Sequence, residues 1–156
     1  MKRVDDTHEA MSLHYRALEK MYLAAPINRL YPCKIEIIEK EAQIRLAIQD
    51  VYHHAAGAVH GSVIFKLLDD SAFFAANSLE TAVFVVTTSF TTYLTRPVSS
   101  GVLLAKGRVV NFNKSQFIAE SVVYDEQGRE IGRGSGIFVR SRWSLADAMG
   151  YGAVRS

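Results

Sequence analysis

The spacing of apolar residues changes along this chain in a set order, and that order predicts a fold. Between Asp5 and Ala25, Met11, Leu13, Tyr15, Leu18, Met21 and Tyr22 recur at helical spacing, with Asp6 or Thr7 as N-cap and Pro26 as the stop. A connector, Asn28 to Pro32, follows. From Cys33 to Glu39 and from Ala42 to Gln49 the period drops to two. There Ile35, Ile37, Ile44, Leu46 and Ile48 alternate with polar residues about a turn at Lys40-Glu41. This predicts two strands with one buried and one wetter face. Asp50 to Val59 reads as a loop holding His53, His54 and Gly57. From Ala58 to Ser78 the chain turns apolar, carries no proline and is rich in helix formers, so it predicts one long buried helix. Four further strands are expected at Ala82–Leu94, Leu103–Asn111, Gln116–Tyr124 and Glu130–Arg140, divided by turns at Ser99-Ser100-Gly101, Asn113-Lys114-Ser115 and Gln127-Gly128. Closely spaced turns without helical crossovers argue for antiparallel pairing. The economical architecture is α+β: a sheet of about six antiparallel strands wrapped on one central helix, with an extra N-terminal helix at 5–25 and a loose or shortly helical tail at 142–156.

Placing successive residues about 100° apart divides the central helix into faces. Val63, Ile64, Leu67, Leu68, Ser71, Phe74 and Ala75 form a stripe that should face the sheet. Ser62, Phe65, Asp69, Ala72, Phe73 and Ala76 form a second apolar stripe nearly opposite. Lys66, Asp70 and Asn77 make a polar edge between them, and Asp70 there reads as a solvated i,i+4 partner of Lys66. Asp69 sits among apolar neighbours, where a carboxylate is costly unless paired, solvated or used. A two-fold related second subunit is the natural cover for that stripe. Periodicity leaves two readings of Asp69 open: a carboxylate satisfied across a dimer interface, or a working acid–base group. The free amides at Gly61 and Ser62 suit a developing negative charge. Gly61 lies roughly 12 Å along the axis from Asp69, so the two converge more readily from two antiparallel helices than within one chain.

Composition narrows the setting. A chain of 156 residues is expected to form one domain with a substantial core. The net charge of +2 comes from scattered bases, which argues against a nucleic-acid stripe or an anionic-membrane anchor. Cys33, the single cysteine, excludes an intramolecular disulfide and a cysteine-built zinc cluster, and reads as a small apolar strand residue. No apolar run reaches transmembrane length and the N-terminus has no signal-peptide pattern, so a cytoplasmic protein is expected. Ser71 lacks a His/Asp partner and a nucleophile elbow, and reads as packing.

The segment His60-Gly61-Ser62, six residues Val63 to Leu68, then Asp69 resembles the motif of the hot-dog fold acyl-CoA thioesterases, in the phenylacetate-type (PaaI-like) branch. That motif has a second glycine where this chain has Ser62, which keeps the backbone amide. The resemblance continues through Thr87 to Arg96-Pro97 and to the turn at Asn113-Lys114, where Asn113 replaces a glycine and tolerates a left-handed conformation, and it covers residues 33 to 140. It implies a hot-dog fold. It implies Asp69 as general base or nucleophile, the Gly61 N–H as donor to the thioester carbonyl, and Thr87 as a hydroxyl that assists the water or the acid. His54, six residues before His60, takes a place often held by Asn that positions water or substrate. A loop hydrogen bond is its other reading. His53 reads as a solvated neighbour, and His60 as the residue that orients the loop.

Ser62, Phe65 and Phe73 are expected to line the substrate site. Arg96 and Lys114, with Arg133 a further candidate, are expected to meet the phosphates of coenzyme A. Coenzyme A would enter as part of the substrate, with no separate cofactor or metal. A homodimer or homotetramer, with no nucleic-acid or membrane partner, is the expected assembly. Two rival readings are carried: an enoyl-thioester hydratase or dehydratase on the same fold, and an acyl-CoA binding module without catalysis. Release of free thiol separates both from a thioesterase.

Overall fold

The computed structural model describes residues 4–152. Helix α1 spans Val4–Ala24 and strands β1 and β2 span Lys34–Ile38 and Glu41–Ala47. Helix α2 spans Gly61–Asn77, and β3 to β6 span Val83–Leu94, Val102–Phe112, Phe117–Tyr124 and Glu130–Ser144. The six strands form one antiparallel sheet in the order β1-β2-β4-β5-β6-β3, and α2 packs against it. This is the α+β architecture that the sequence pattern predicts and the hot-dog fold that the resemblance implies.

Most element boundaries fall within a residue or two of the expected ones, and the exceptions have physical causes. Strand β6 runs on to Ser144, because its last residues pair back along β3 as far as Val83. The expected tail therefore begins as strand and continues as a short 3-10 turn at Leu145–Asp147, and residues 153–156 of it lie outside the described residues. Helix α1 starts at Val4, which places Asp5 and Asp6 in its first turn rather than at the cap. Its inward face is His14, Ala17, Leu18, Met21 and Tyr22, while Leu13 points to solvent. Asn113 does not adopt a left-handed conformation: its Oδ1 accepts from the backbone N–H groups of Ser115 (2.8 Å) and Gln116 (3.1 Å), which closes the turn by a side-chain route.

The sheet-facing stripe of α2 is buried from Val63 to Ala75 as expected. Close approach of helix to sheet depends on Gly107 in β4: a Cβ there would lie 2.2 Å from the Ser71 carbonyl oxygen. The buried hydroxyls of Ser71 (3.2 Å) and Ser121 (2.8 Å) both donate to the Leu68 carbonyl, so Ser71 serves packing.

His14, which the periodicity passed over, ties three elements together. Its Nε2 donates to the Asn77 carbonyl at 2.9 Å, which leaves Nδ1 to accept from the Tyr151 hydroxyl at 2.7 Å. Asn77 in turn holds the start of β3, donating to the carbonyls of Glu80 and Val83 and accepting from the Val85 N–H. Burial lowers the affinity of His14 for a second proton. The unfolded chain therefore binds that proton first, and stability is lost as the pH falls below about 6.5. Thermal melts at pH 7.5 and pH 5.5 should show a smaller acid-induced drop for His14→Gln than for the unaltered protein. Equal drops would remove His14 from the account. Among the described residues, no helix is long and apolar enough to cross a membrane.

Candidate functional site

Helix α2 opens in the β/extended geometry of His60, whose Nδ1 accepts from the Ser62 N–H at 3.1 Å and lies 2.7 Å from the Ser62 hydroxyl. The His60 carbonyl takes the Val63 N–H at 3.0 Å. The cap thus uses the second and third amides and leaves the Gly61 N–H without an acceptor among the described residues. His60 orients this helix start through its own ring.

Two turns further on, Asp69 receives the Thr87 hydroxyl at 2.8 Å. Asp69 is half-buried, and desolvation pushes its carboxyl above the usual range. The Thr87 hydrogen bond pulls the other way, as does the charge of Lys66, while Asp70 adds to the rise.

Helix α2 and strand β3 run antiparallel here and meet in three rungs. Gly61 abuts Leu94, whose Cδ1 would lie 2.6 Å from any Cβ at Gly61. Phe65 meets Phe90 edge to face, with ring centroids 5.6 Å apart. Asp69 meets Thr87. One helical turn separates each rung from the next, so the aromatic pair lies between the free amide and the carboxylate. Phe90 carries no sequence signal for this place, because the bulge between Thr87 and Ser89 breaks the alternation that would have shown which face it takes.

The second stripe of α2 divides. Ser62, Phe65 and Asp69 stay open, with Phe65 41% exposed. Ala72, Phe73 and Ala76 are buried within the chain. Phe73 packs against Phe74, Phe84 and Phe138 at centroid distances of 5.0, 5.0 and 6.0 Å. It is a core residue, not part of the open half of the stripe and not the expected lining of the substrate site, because β3 and β6 close over the C-terminal half of the helix. Asp70 departs from the solvated-edge reading as well. It pairs with Lys66 beneath the N-terminal segment and receives the Tyr22 hydroxyl at 2.9 Å, while Lys66 donates to Asn28 Oδ1 at 2.6 Å.

The remaining candidates lie apart from Asp69 within the single chain. His54 is exposed, and its Nδ1 accepts from the Ala56 N–H at 3.1 Å inside its own loop. His53 instead reaches the Ser99 carbonyl at 2.8 Å, across to the segment after β3. Arg96 is exposed, its backbone N–H donating to Ile131. Lys114 is exposed in the β4–β5 turn, which Arg140 braces by donating to the carbonyls of Asn113 and Lys114. Arg133 is paired with Glu130 at 2.6 Å. A separate open groove of about 770 Å³ lies on the outer face of the sheet, between Tyr93, Lys106, Arg108, Glu120 and Arg133, away from α2. Among the described residues, no group of three or more His, Cys, Asp or Glu side chains is placed to hold a metal ion.

Residues 56–131, which include the whole of α2 and β3, match the family described as the thioesterase superfamily. Solved structures share the fold. The PaaI protein from the phenylacetic acid degradation operon of Escherichia coli superposes with a TM-score of 0.76 at 20% identity, over 85% of this chain and 98% of that one. A conserved protein of Pseudomonas aeruginosa gives 0.70 at 20% identity, over 75% and 94%. A single-site variant of the phenylacetic acid degradation protein PaaI from Thermus thermophilus gives 0.68 at 21% identity, over 74% and 99%. No curated protein matches the chain.

Proposed function

We propose that this chain, a hot-dog protein whose residues 56–131 match the thioesterase superfamily, hydrolyses an acyl- or aryl-acyl-CoA thioester to the free acid and coenzyme A. The observation that carries the reading is the Asp69 carboxylate, held by Thr87 on an uncovered apolar stripe that also bears the free Gly61 amide.

Within one chain that amide and that carboxylate lie roughly 12 Å apart, too far to act on one carbonyl. Strand β3 is a sheet edge, and the open half of the α2 stripe borders it. A two-fold related copy docked there would bring the Gly61 end of one helix to Asp69 of the partner subunit. The working unit is then a homodimer, or a homotetramer built from two.

In that shared site the thioester carbonyl oxygen accepts the Gly61 N–H. Asp69 of the partner subunit takes a proton from water as the water oxygen bonds to the carbonyl carbon, or attacks that carbon itself. The Gly61 amide and the positive end of α2 stabilise the tetrahedral oxyanion. Collapse breaks the C–S bond. The sulfur leaves as the thiolate and takes up a proton, and the acid is released once water has supplied its oxygen. Lys114 and Arg96 are exposed cations available to the phosphates of coenzyme A, and His54 is available to water at the loop. The site takes coenzyme A as substrate and asks for no further cofactor. The reading places the protein in the cytosol, in keeping with an unpaired, buried Cys33.

A panel of acyl-CoA thioesters with a thiol reagent tests this directly. Release of coenzyme A is expected, and ligand retention without thiol release, or hydration of a crotonyl thioester instead, would replace hydrolysis by one of its rivals. The acid limb of the kcat/KM profile gives a second check. A protonated carboxyl accepts no proton, so activity falls as the pH drops through the Asp69 pKa, and burial sets that midpoint above the ordinary carboxylate value of about 3.9. Thr87→Val removes the hydrogen bond that favours the charged form, and so should move the acid limb to higher pH. An unmoved limb in Thr87→Val would detach the profile from Asp69.

A further inference from the structure

The middle rung, Phe65 against Phe90, does no chemistry in the site described above, yet it lies one helical turn from Gly61 and one from Asp69 of its own chain. Its construction is specific. Phe90 faces α2 from β3 and pairs in register with Gly136 of β6, and Thr92 pairs with Gly134. A Cβ on Gly134 would lie 2.3 Å from Phe90 Cε1, and one on Gly136 would lie 2.5 Å from Cδ2. The ring therefore rests on two glycines, in space that any other residue would fill. Its edge contact is Phe65, which is itself 41% exposed, and Phe90 is only partly buried. The pair thus forms part of the open half of the α2 stripe.

A second observation falls on the same face. The Thr92 hydroxyl is buried and has no hydrogen-bond partner among the described residues. Thr92 lies between Phe90 and Leu94 on the α2-facing side of β3. A buried polar atom left unsatisfied is uncommon in a finished core, and it marks this strip as a place where packing is incomplete within one chain.

The geometry points to Phe90 as the residue that determines acyl size: seated on Gly134 and Gly136, its ring bounds the acyl path one helical turn from the Gly61 amide and restricts the substrate to compact acyl groups. This rests on the thioesterase reading. With the carbonyl held between Gly61 and Asp69 of the partner subunit, an acyl chain that runs on along α2 meets the aromatic rung within one turn, about 5.4 Å. Beyond the ring lies the glycine seat, bounded by the Phe138 ring and the Thr91 carbonyl. Removing the ring turns the seat into an extension of that path. Crowding the seat pushes the ring into that path instead.

The test uses three variants with opposite expected effects. Phe90→Ala should raise the ratio of kcat/KM for long to short acyl-CoA substrates by about tenfold or more, since a few methylenes gain a hydrophobic berth. Phe90→Leu, which leaves less of a hollow to threaten folding, should move the ratio the same way by a smaller factor. Gly136→Ala, whose added methyl meets only the side chains of Phe90 and Phe138, should lower it. Affinities for non-hydrolysable thioether analogues of the same acyl ladder are measured in parallel. Ratios that stay fixed in folded variants would reduce Phe90 to packing and overturn the inference. If the unaltered protein releases no thiol but binds the analogues, and their size preference follows these variants, the size limit stands and the hydrolytic reading falls. Binding of no analogue would overturn both.

Discussion

Asp69→Asn is expected to lower kcat/KM for thioester hydrolysis by about a hundred- to ten-thousandfold, the range set by loss of a positioned general base. Amide for carboxylate is nearly isosteric, and the amide oxygen still accepts the Thr87 hydroxyl, so the rung between α2 and β3 stays in place. What disappears is the charge and the lone pair that takes the proton. Stability should move in the other direction. The folded-state pKa of Asp69 lies above its unfolded value, so the ionised group favours the unfolded chain, and this cost grows as the pH rises through the folded pKa. At pH 7.5 the variant should therefore melt at or slightly above the unaltered protein. Loss of turnover with retained or raised thermal stability is the signature of a residue kept for chemistry. A structural carboxylate that satisfies neighbours across an interface would instead lose stability and assembly when altered. Kinetics, thermal melts and sedimentation on one preparation tell these apart, and near-wild-type turnover would end the assignment of Asp69.

The residues that repeat regularly are the ones legible in the sequence. Val63, Ile64, Leu67, Leu68 and Phe74 announce the buried face of α2 because a 3.6-residue period has one inward side. The alternation of Ile35, Ile37, Ile44 and Leu46 announces strands in the same way. Asp69 was legible as a misfit in an apolar stripe. What failed to show was whatever depended on a non-local neighbour. Phe73 shares the stripe of Asp69, but β3 and β6 cover it through Phe84 and Phe138, and no helical wheel contains those strands. Phe90 was hidden because a single bulge residue shifts every later side chain of β3 to the other face. His14 is a polar residue on an amphipathic helix, and its burial follows only from Asn77 and Tyr151, far away in sequence. Asp70 was placed correctly beside Lys66, but the pair's surroundings depend on how α1 and the Pro26–Arg29 turn dock.

That docking makes Lys66→Met the substitution with the largest expected cost in stability. Lys66 pairs with Asp70, donates to Asn28, and lies over the Tyr22 and Tyr31 rings at 5.1 and 5.3 Å. The two charged side chains retain only 14% and 20% of their exposure. Breaking a buried pair by removing one member strands the other charge, at about 3–5 kcal/mol when burial is complete, and the remaining solvent contact reduces this to about 2–3 kcal/mol. For a chain of this size that is a drop in thermal midpoint of roughly 5–10 °C. The loss should depend on pH with a defined sign. Without Lys66, burial holds the Asp70 carboxyl above its unfolded pKa, so the deficit is small below about pH 4 and grows as the pH rises through the folded value. Replacing both partners by apolar residues, Lys66→Met with Asp70→Leu, removes the stranded charge. It should recover most of the loss, since the desolvation cost of the pair offsets much of its attraction. Melts of the single and double variants from pH 4 to pH 8 decide the matter. Equal deficits in both, or a deficit independent of pH, would mean that the cluster stabilises through the Lys66 contacts with the tyrosine rings and not through the ion pair. Tyr22 and Asn28 reach this cluster from the N-terminal segment, so the deficit should also appear as earlier proteolysis of α1, the element that the pair fastens to the helix bearing Asp69.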